Sequence, residues 1–267
     1  MKINHIFLIL AFAVLSFILI GCNTNKPSAQ TQEDFIWHGH SFVQLNVWNE
    51  TKLDAVIQID PFKVGDRVDI PSADIVLITH PHYDHCSIED IAKVSKPSTI
   101  VLAPQECLDS LGKLDVKEKI AVLPEKKYND IKGISDKGIG IETVPAYTVN
   151  TEFHPKSQKW VGYIVAINSI YDSSSANSKI NSKKFYHAGD TGNIPEFSSE
   201  TFADIDVAFL PVDGVYAMGG VEAAMAANTF RPKLAIPIHY GTIVGTIEGA
   251  NQLKENCVCK VEIPEIK

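Results

Sequence analysis

The chain has no run of lysine or arginine long enough to track a phosphate backbone. Its 24 basic residues are outnumbered by 32 acidic ones, for a net charge of −8. A nucleic-acid partner is excluded on that ground, because nothing is present to displace the counterions of a polyphosphate. A Gly-x-Ser-x-Gly elbow is also missing, so no serine nucleophile on a strand-to-helix turn is expected. No internal repeat divides the chain into stacked units. Cysteines number only five. Cys86 is expected to be a small buried thiol rather than a ligand or nucleophile. Cys257 and Cys259, next-but-one on one face of a terminal strand, are expected to pack rather than to bridge each other.

Long apolar runs are likewise absent, with one exception. Residues 1–22 begin with Met1-Lys2, continue through a nearly unbroken apolar stretch over 6–20 and close with Leu19-Ile20-Gly21-Cys22. This is the layout of a secretory signal, and its last four residues resemble a bacterial lipoprotein box. The resemblance implies cleavage before Cys22, lipidation of that cysteine and an extracytoplasmic protein anchored to a bacterial membrane. The alternative is an uncleaved spanning anchor, for which the run is short against the ~18 or more apolar residues a bilayer favours. Residues 23–33 are polar, contain Pro27 and read as a flexible tether.

From residue 34 to 267 the chain amounts to one domain, and a hydrophobic content of 45% is enough for a sizeable core. Strand-like and helix-like segments alternate, which places the fold in the α/β class. Strands are expected at 42–47, 55–59, 75–78, 99–102, 139–144, 161–167, 184–186, 207–210 and 234–238. Continuous β-branched runs such as Ile75-Val76-Leu77-Ile78 predict strands buried on both faces. Helices are expected at 87–94, 104–111, 221–230 and 246–255. The Ser/Asn/Lys-rich stretch 169–184 reads as an exposed, mobile hairpin extension without chemistry. Asp109, Asp115 and Glu118 read as a solvated face.

Directly after the fourth apolar residue of the 75–78 run comes Thr79-His80-Pro81-His82-Tyr83-Asp84-His85. Three of the nine histidines and a carboxylate thus fall within six consecutive positions. Imidazole and carboxylate are the usual nitrogen and oxygen ligands of zinc and related ions, and their crowding at a strand end points to a metal site. Four further signals also sit at strand ends: Asp60-Pro61-Phe62, His187-Ala188-Gly189-Asp190-Thr191, Asp213-Gly214 and His239-Tyr240-Gly241. At each, a small residue lets the backbone turn sharply and a ligand-type side chain projects from a rigid support. A single such aspartate would be read as a turn former. Their repetition around the histidine cluster turns the reading into a site. Apart from His5, the histidines are His38, His40, His80, His82, His85, His154, His187 and His239, and all but His154 lie in or beside these motifs. His38 and His187 read as core histidines satisfied by hydrogen bonds.

Gly39-His40-Ser41-Phe42, Ile59-Asp60-Pro61-Phe62, the 80–85 run, Tyr186-His187-Ala188-Gly189-Asp190-Thr191 and Pro237-Ile238-His239-Tyr240-Gly241 occur together and in this order. In this combination the chain resembles the metallo-β-lactamase superfamily, and within it the branch of L-ascorbate-6-phosphate lactonase-like and other metal-dependent hydrolases. The resemblance runs from Trp37 to Thr242. It implies a four-layer αββα sandwich with the site at one edge between the sheets. It implies that His80 and His82 hold a first metal, that Asp84, His85 and His239 hold a second, and that Asp190 bridges both. Asp60 is expected behind them, accepting a proton from a ligand imidazole and so selecting its tautomer. One position departs from the family pattern. The third histidine of the first metal is absent from Pro145-Ala146-Tyr147-Thr148-Val149-Asn150. Either His154 reaches the metal from a rearranged loop, which is the favoured reading, or the first site is under-coordinated.

The resemblance further implies a cofactor of two Zn²⁺ per chain, with Mn²⁺ or Fe²⁺ as alternatives for this ligand set. Two such ions sharing a water make hydroxide available near neutral pH. The expected activity is hydrolysis of an ester, lactone or phosphodiester in a small-molecule or lipid substrate. Asp84 and Asp190 serve the reaction itself, and Tyr240, with Tyr147 and His40, is a candidate for leaving-group protonation or substrate contact. Rival readings are a β-lactamase, a phospholipase D-like lipid hydrolase and a non-catalytic metal-binding lipoprotein.

Overall fold

The computed structural model describes residues 32–149, 151–170 and 180–265. The expected signal segment, Cys22 and nearly all of the tether lie outside these residues, as does the centre of the Ser/Asn/Lys-rich stretch. Among the described residues no helix is long and apolar enough to cross a membrane.

Two six-stranded sheets carry the fold, and in each the strands lie side by side in chain order. The first comprises β1 (Phe35–Gly39), β2 (Phe42–Asn49), β3 (Lys52–Ile59), β4 (Ile75–Leu77), β5 (Ile100–Ala103) and β6 (Glu118–Ala121). The second comprises β7 (Ile139–Pro145), β8 (Val161–Ile170), β9 (Ile180–His187), β10 (Val207–Pro211), β11 (Leu234–Ile238) and β12 (Lys260–Val261). Both begin with two antiparallel pairings and continue with three parallel ones. The two halves thus share a topology that leaves no repeat in the sequence.

The β-branched runs explain the layering. Ile75, Leu77, Ile100 and Leu102 enter one apolar cluster with Ile141, Val165 and Phe185 of the other sheet. Their neighbours Val76, Ile78, Val101 and Ala103 enter a second cluster with Ile91, Val94, Leu108 and Leu111. Successive side chains on a strand point to opposite faces, so each of these strands is buried on both sides. The helices supplying the second cluster are α1 (Ile88–Val94) and α2 (Gln105–Leu111), while α3 (Gly220–Phe230) and α4 (Ile247–Asn256) pack with β10 to β12. The result is the αββα sandwich. Tyr163 ties the inner faces together, its hydroxyl lying 2.8 Å from the Ile78 carbonyl and 3.1 Å from that of Leu102.

The helices fall within a residue or so of the expected boundaries. Ser87 and Thr246 prove to be N-caps, accepting hydrogen bonds from the Asp90 and Glu248 backbone N–H groups. The strands on either side of the centre of the 169–184 stretch pair antiparallel, Ile170 with Ile180. Strands β1, β6 and β12 are additional to those expected. The cysteine reading also requires correction. Cys86 is bonded to Cys107 at the start of α2, and Cys257 to Cys259, with Cα separations of 6.1 and 5.2 Å. The second pair lies in the turn before β12 rather than on a strand. Leaving the strand conformation removes the alternation that would hold next-but-one side chains too far apart to bond.

Candidate metal centre

All the ligand-type residues come from loops that leave one edge of the two sheets. His40 (β1–β2), Asp60 (after β3) and the 80–85 run (after β4) belong to the first sheet. His154 (β7–β8), Asp190 (after β9), Asp213 (after β10) and His239 (after β11) belong to the second. His40, Asp60 and His239 all have positive φ, at 50°, 48° and 60°. Non-glycine residues adopt this region rarely, and such strain concentrates where a side chain must be aimed. Gly189 has φ +60°, and a Cβ there would lie 2.9 Å from Thr79 Cβ. Only glycine lets the Asp190 loop approach the 80–85 loop this closely.

Two ligand sets converge. His80, His82 and His154 form one, and His40, Asp84, His85 and His239 form the other, with the ligand atoms of each set within 4.8 Å of one another. His154 therefore lies within ligand distance of His80 and His82. Asp190 lies between the two. Its Oδ2 is 3.2 Å from His239 Nε2, 3.4 Å from His154 Nε2 and 3.9 Å from His80 Nε2, and its Oδ1 is 3.5 Å from His85 Nε2. Ligand atoms sharing one tetrahedral zinc at bonds of ~2.0–2.1 Å stand about 3.3 Å apart, which these separations match.

The imidazoles of His80, His85, His154 and His239 are held so that Nε2 faces inward, while His82 turns its Nδ1 toward His80 Nε2 at 3.1 Å. His85 Nδ1–H donates to Asp60 Oδ2 at 2.8 Å, the role expected of Asp60. The Thr79 hydroxyl spends its single proton on the same carboxylate at 2.7 Å, so it accepts from His80 Nδ1–H at 3.0 Å. His154 Nδ1–H donates to the Tyr216 carbonyl at 3.1 Å. His239 Nδ1 lies 3.1 Å from Asp213 Oδ2, while Asp213 Oδ1 accepts from the N–H groups of Val215 and Tyr216. Asp84 Oδ2 accepts from His40 Nε2–H at 2.9 Å. Among the buried atoms left without a hydrogen bond are His85 Nε2, His154 Nε2, His239 Nε2 and Asp190 Oδ1. Orphaned polar atoms are costly in a protein interior. All four belong to the two clustered ligand sets or to the aspartate between them, so these residues fit metal binding.

The protonation states agree. Burial pushes His80 well below the ordinary histidine value, and His82 and His154 down as well, so they are neutral and able to bind a metal. Burial opposes the charged forms of the other set too; it prevails at His40, which is lowered, but close opposite charges win at His85, His239 and Asp84. Asp190 and Asp60 hold His85 well above its usual value, and Asp190 and Asp213 bring His239 up to about 9. His40 and His85 bring Asp84 down to about 2. Asp190, against His239 and His85, is held well below the carboxylate range.

A cavity of about 270 Å³ opens onto this centre, lined by His82, Asp84, His154, Asp190 and His239 among others. A larger one of about 430 Å³ is lined by Trp160, Tyr147, Lys156 and Glu196 and contains none of the clustered histidines. The smaller cavity is the site, since chemistry and not volume defines one.

Over this same span, residues 35–239, the chain matches the β-lactamase superfamily domain. The chain belongs to that superfamily. Within it, a UPF0173 metal-dependent hydrolase of Nitratidesulfovibrio vulgaris is 30% identical over 84% of this chain and 87% of its own length. One from Pyrococcus abyssi is 28% identical over 76% and 83%. A crystal structure from Parabacteroides distasonis, designated a candidate metal-dependent hydrolase, superposes with a TM-score of 0.65 at 32% identity, covering 86% of this chain and 92% of its own. This superfamily member thus groups with the UPF0173 metal-dependent hydrolases.

The structure corrects the superfamily member's sequence reading at two tyrosines and extends it at two other residues. Tyr240 does not line the site cavity. Its ring stacks on Trp37 at 5.1 Å within the core, and it is 5% exposed. The physical reason is the positive φ at His239, which swings the two neighbouring side chains to opposite sides of the turn. Tyr147 is committed elsewhere, donating to Glu196 Oε2 at 2.9 Å. His187 is a core residue, its Nε2–H donating to the Ser41 carbonyl at 2.8 Å while Nδ1 accepts from Gly189 N–H. His40, a candidate for leaving-group protonation or substrate contact, lies within the second set, with its Nε2–H on Asp84. Asp213 is a strand-end signal to which the sequence attaches no role. Its spacing to His239 in the chain gives no clue that they meet.

Proposed function

We propose that this chain is a membrane-tethered, extracytoplasmic hydrolase with a dinuclear metal centre, acting on an ester, lactone or phosphodiester in a small-molecule or lipid substrate. The observation that carries the reading is the set of four inward-facing, buried, unpartnered atoms on His85, His154, His239 and Asp190. His80, His82 and His154 would hold one cation, and Asp84, His85 and His239 the other, with Asp190 shared and His40 holding Asp84 in place. The nitrogen-rich set suits zinc, with Mn²⁺ or Fe²⁺ as alternatives. When bound, the cations supply Lewis acidity toward the scissile carbonyl or phosphoryl oxygen and acidify a water.

The protein's own residues supply the rest. Asp84 lines the cavity, is ionised throughout the physiological range and is fixed by His40, so it can accept a hydrogen bond from the attacking water and aim it. Asp60, Thr79, Tyr216 and Asp213 hold the imidazoles in one tautomer. The Gly39-His40-Ser41 and His239-Tyr240-Gly241 elements support placement near the ascorbate-6-phosphate lactonase-like branch. The paired cysteines support export, since disulfides persist in oxidising compartments. The motif ending at Cys22 supports lipidation. The acidic net charge supports the exclusion of nucleic acid.

Elemental analysis of the purified chain, alongside His82→Ala and Asp190→Ala, tests the centre. Two metals in the wild type and depleted variants are expected, and full occupancy in the variants would sink the assignment. Loaded protein inactive on esters, lactones, phosphodiesters and a chromogenic cephalosporin would leave a metal-binding lipoprotein instead.

A further inference from the structure

The loops that carry the metal-site residues also carry large exposed apolar side chains. Tyr83 lies between His82 and Asp84, Phe153 precedes His154, Tyr216 follows Asp213, and Ile243 and Val244 follow His239. All five line the site cavity. Tyr83 is 67% exposed, Phe153 51%, Ile243 44% and Tyr216 38%. Phe153 and Tyr216 meet edge to face, with ring centroids 4.8 Å apart. Among the described residues, apart from the tyrosine hydroxyls, the polar lining consists of the ligand-type residues, and no described lining side chain is a lysine, arginine, asparagine or glutamine. Lys63 stays over the Phe62 ring at 5.7 Å and does not line the cavity.

Scattered exposed hydrophobes are ordinary, but a contiguous set rimming a ligand-bearing cavity marks a contact surface. A phosphate or sugar hydroxyls flanking the scissile bond would lose water there and find few donors in return. We infer that the group flanking the scissile bond is an uncharged alkyl, acyl or aryl group, seated against Tyr83, Phe153, Tyr216 and Ile243. The inference rests on the hydrolytic reading above and narrows its substrate class to apolar esters and lactones, away from phosphorylated sugar lactones.

Calorimetric titration of the metal-loaded full chain with straight-chain hydroxamates, from acetohydroxamate to octanohydroxamate, tests it. Affinity is expected to rise about fourfold per methylene for as long as the tail is buried. Phe153→Ala and Tyr216→Ala should collapse the ratio between the longest and shortest ligands, with metal content reporting that the centre is intact. Ile243→Asp, on a different loop, provides the same reading if either variant fails to fold. Independently, kcat/KM for p-nitrophenyl octanoate should exceed that for the acetate, and the same variants should erase the difference through KM. Hydroxamates binding without regard to tail length, or variants that keep the ratio, would overturn the inference while leaving the hydrolytic reading standing. A chain that takes up no metal and binds no hydroxamate would remove both.

Discussion

The two ligand sets are both rich in histidine yet differ in charge. The His80, His82 and His154 set is supported by neutral groups, the Thr79 hydroxyl and the Tyr216 carbonyl, and burial keeps its imidazoles uncharged. The His40, Asp84, His85 and His239 set contains one carboxylate and rests on two more, Asp60 and Asp213. A cation entering the second set meets negative charge already in place, and one entering the first depends on Asp190 for it. Location in the fold does not separate them, since both sit at the same sheet edge. The second set should therefore bind its metal more tightly, and the first should fill last.

The largest effect expected from this contrast is in metal stoichiometry. His154→Ala should lose one metal and His85→Ala should lose the other more thoroughly, with activity down more than ~100-fold in each, beyond the cost of removing an outer hydrogen-bonding partner. Elemental analysis after dialysis measures it, and two metals retained in His154→Ala would break the comparison at its first term. Next in size is Asp213→Asn, which takes a carboxylate from behind His239 and should weaken the second metal about 10–100-fold. A competition titration with a chromophoric chelator reads this directly, with the first metal as the internal reference.

A pH series on the metal-free protein separates the sets through stability. His239 is raised to about 9, so its contact with Asp190 and Asp213 contributes fully below ~6.5 and is lost as pH rises through about 9. His80, His82 and His154 are lowered, so they act in the opposite direction. The unfolded chain takes up their protons first, and stability falls as pH drops below ~6.5. The metal-free Tm should fall on both sides of neutrality, whereas metal replaces the His239 proton and should flatten the alkaline limb. An alkaline limb unchanged by metal would place His239 outside the second set. The smallest effect is expected at Tyr240, where Tyr240→Phe should keep kcat/KM within about twofold, because the ring packs on Trp37 away from the cavity.

What can be read from the sequence follows the same division. The 80–85 run, Asp190 and His239 stand out because imidazoles and carboxylates clustered at the ends of buried strands are costly to keep there unless a cation binds them. His154 is legible only by elimination, as a loop histidine where the usual position is empty. His40 and Asp213 are visible as motifs but not as partners. The meetings His40–Asp84 and Asp213–His239 depend on how two strand ends are brought together, and on αL turns at His40 and His239 that local patterning does not encode. The buried strands are legible from β-branched runs. The strands β6, with residues such as Glu118 at a sheet edge, and β12, only two residues long, carry no such pattern. The Cys86–Cys107 bond is not legible, because connectivity is set by Cα proximity and not by spacing.

Each ligand set takes residues from both sheets: His80 and His82 meet His154 in one, and His85 meets His239 in the other. A bound cation is therefore a cross-link as well as a reagent. The second one joins chain positions as distant as Asp84 and His239, closing most of the domain into a loop. Held tightly, it stabilises the folded form in proportion to the logarithm of free metal over its dissociation constant. Chelation should then do more than stop turnover. It should loosen one half of the sandwich from the other, so that amide exchange along the inner faces of β4 and β9 quickens while the helices outside them stay protected.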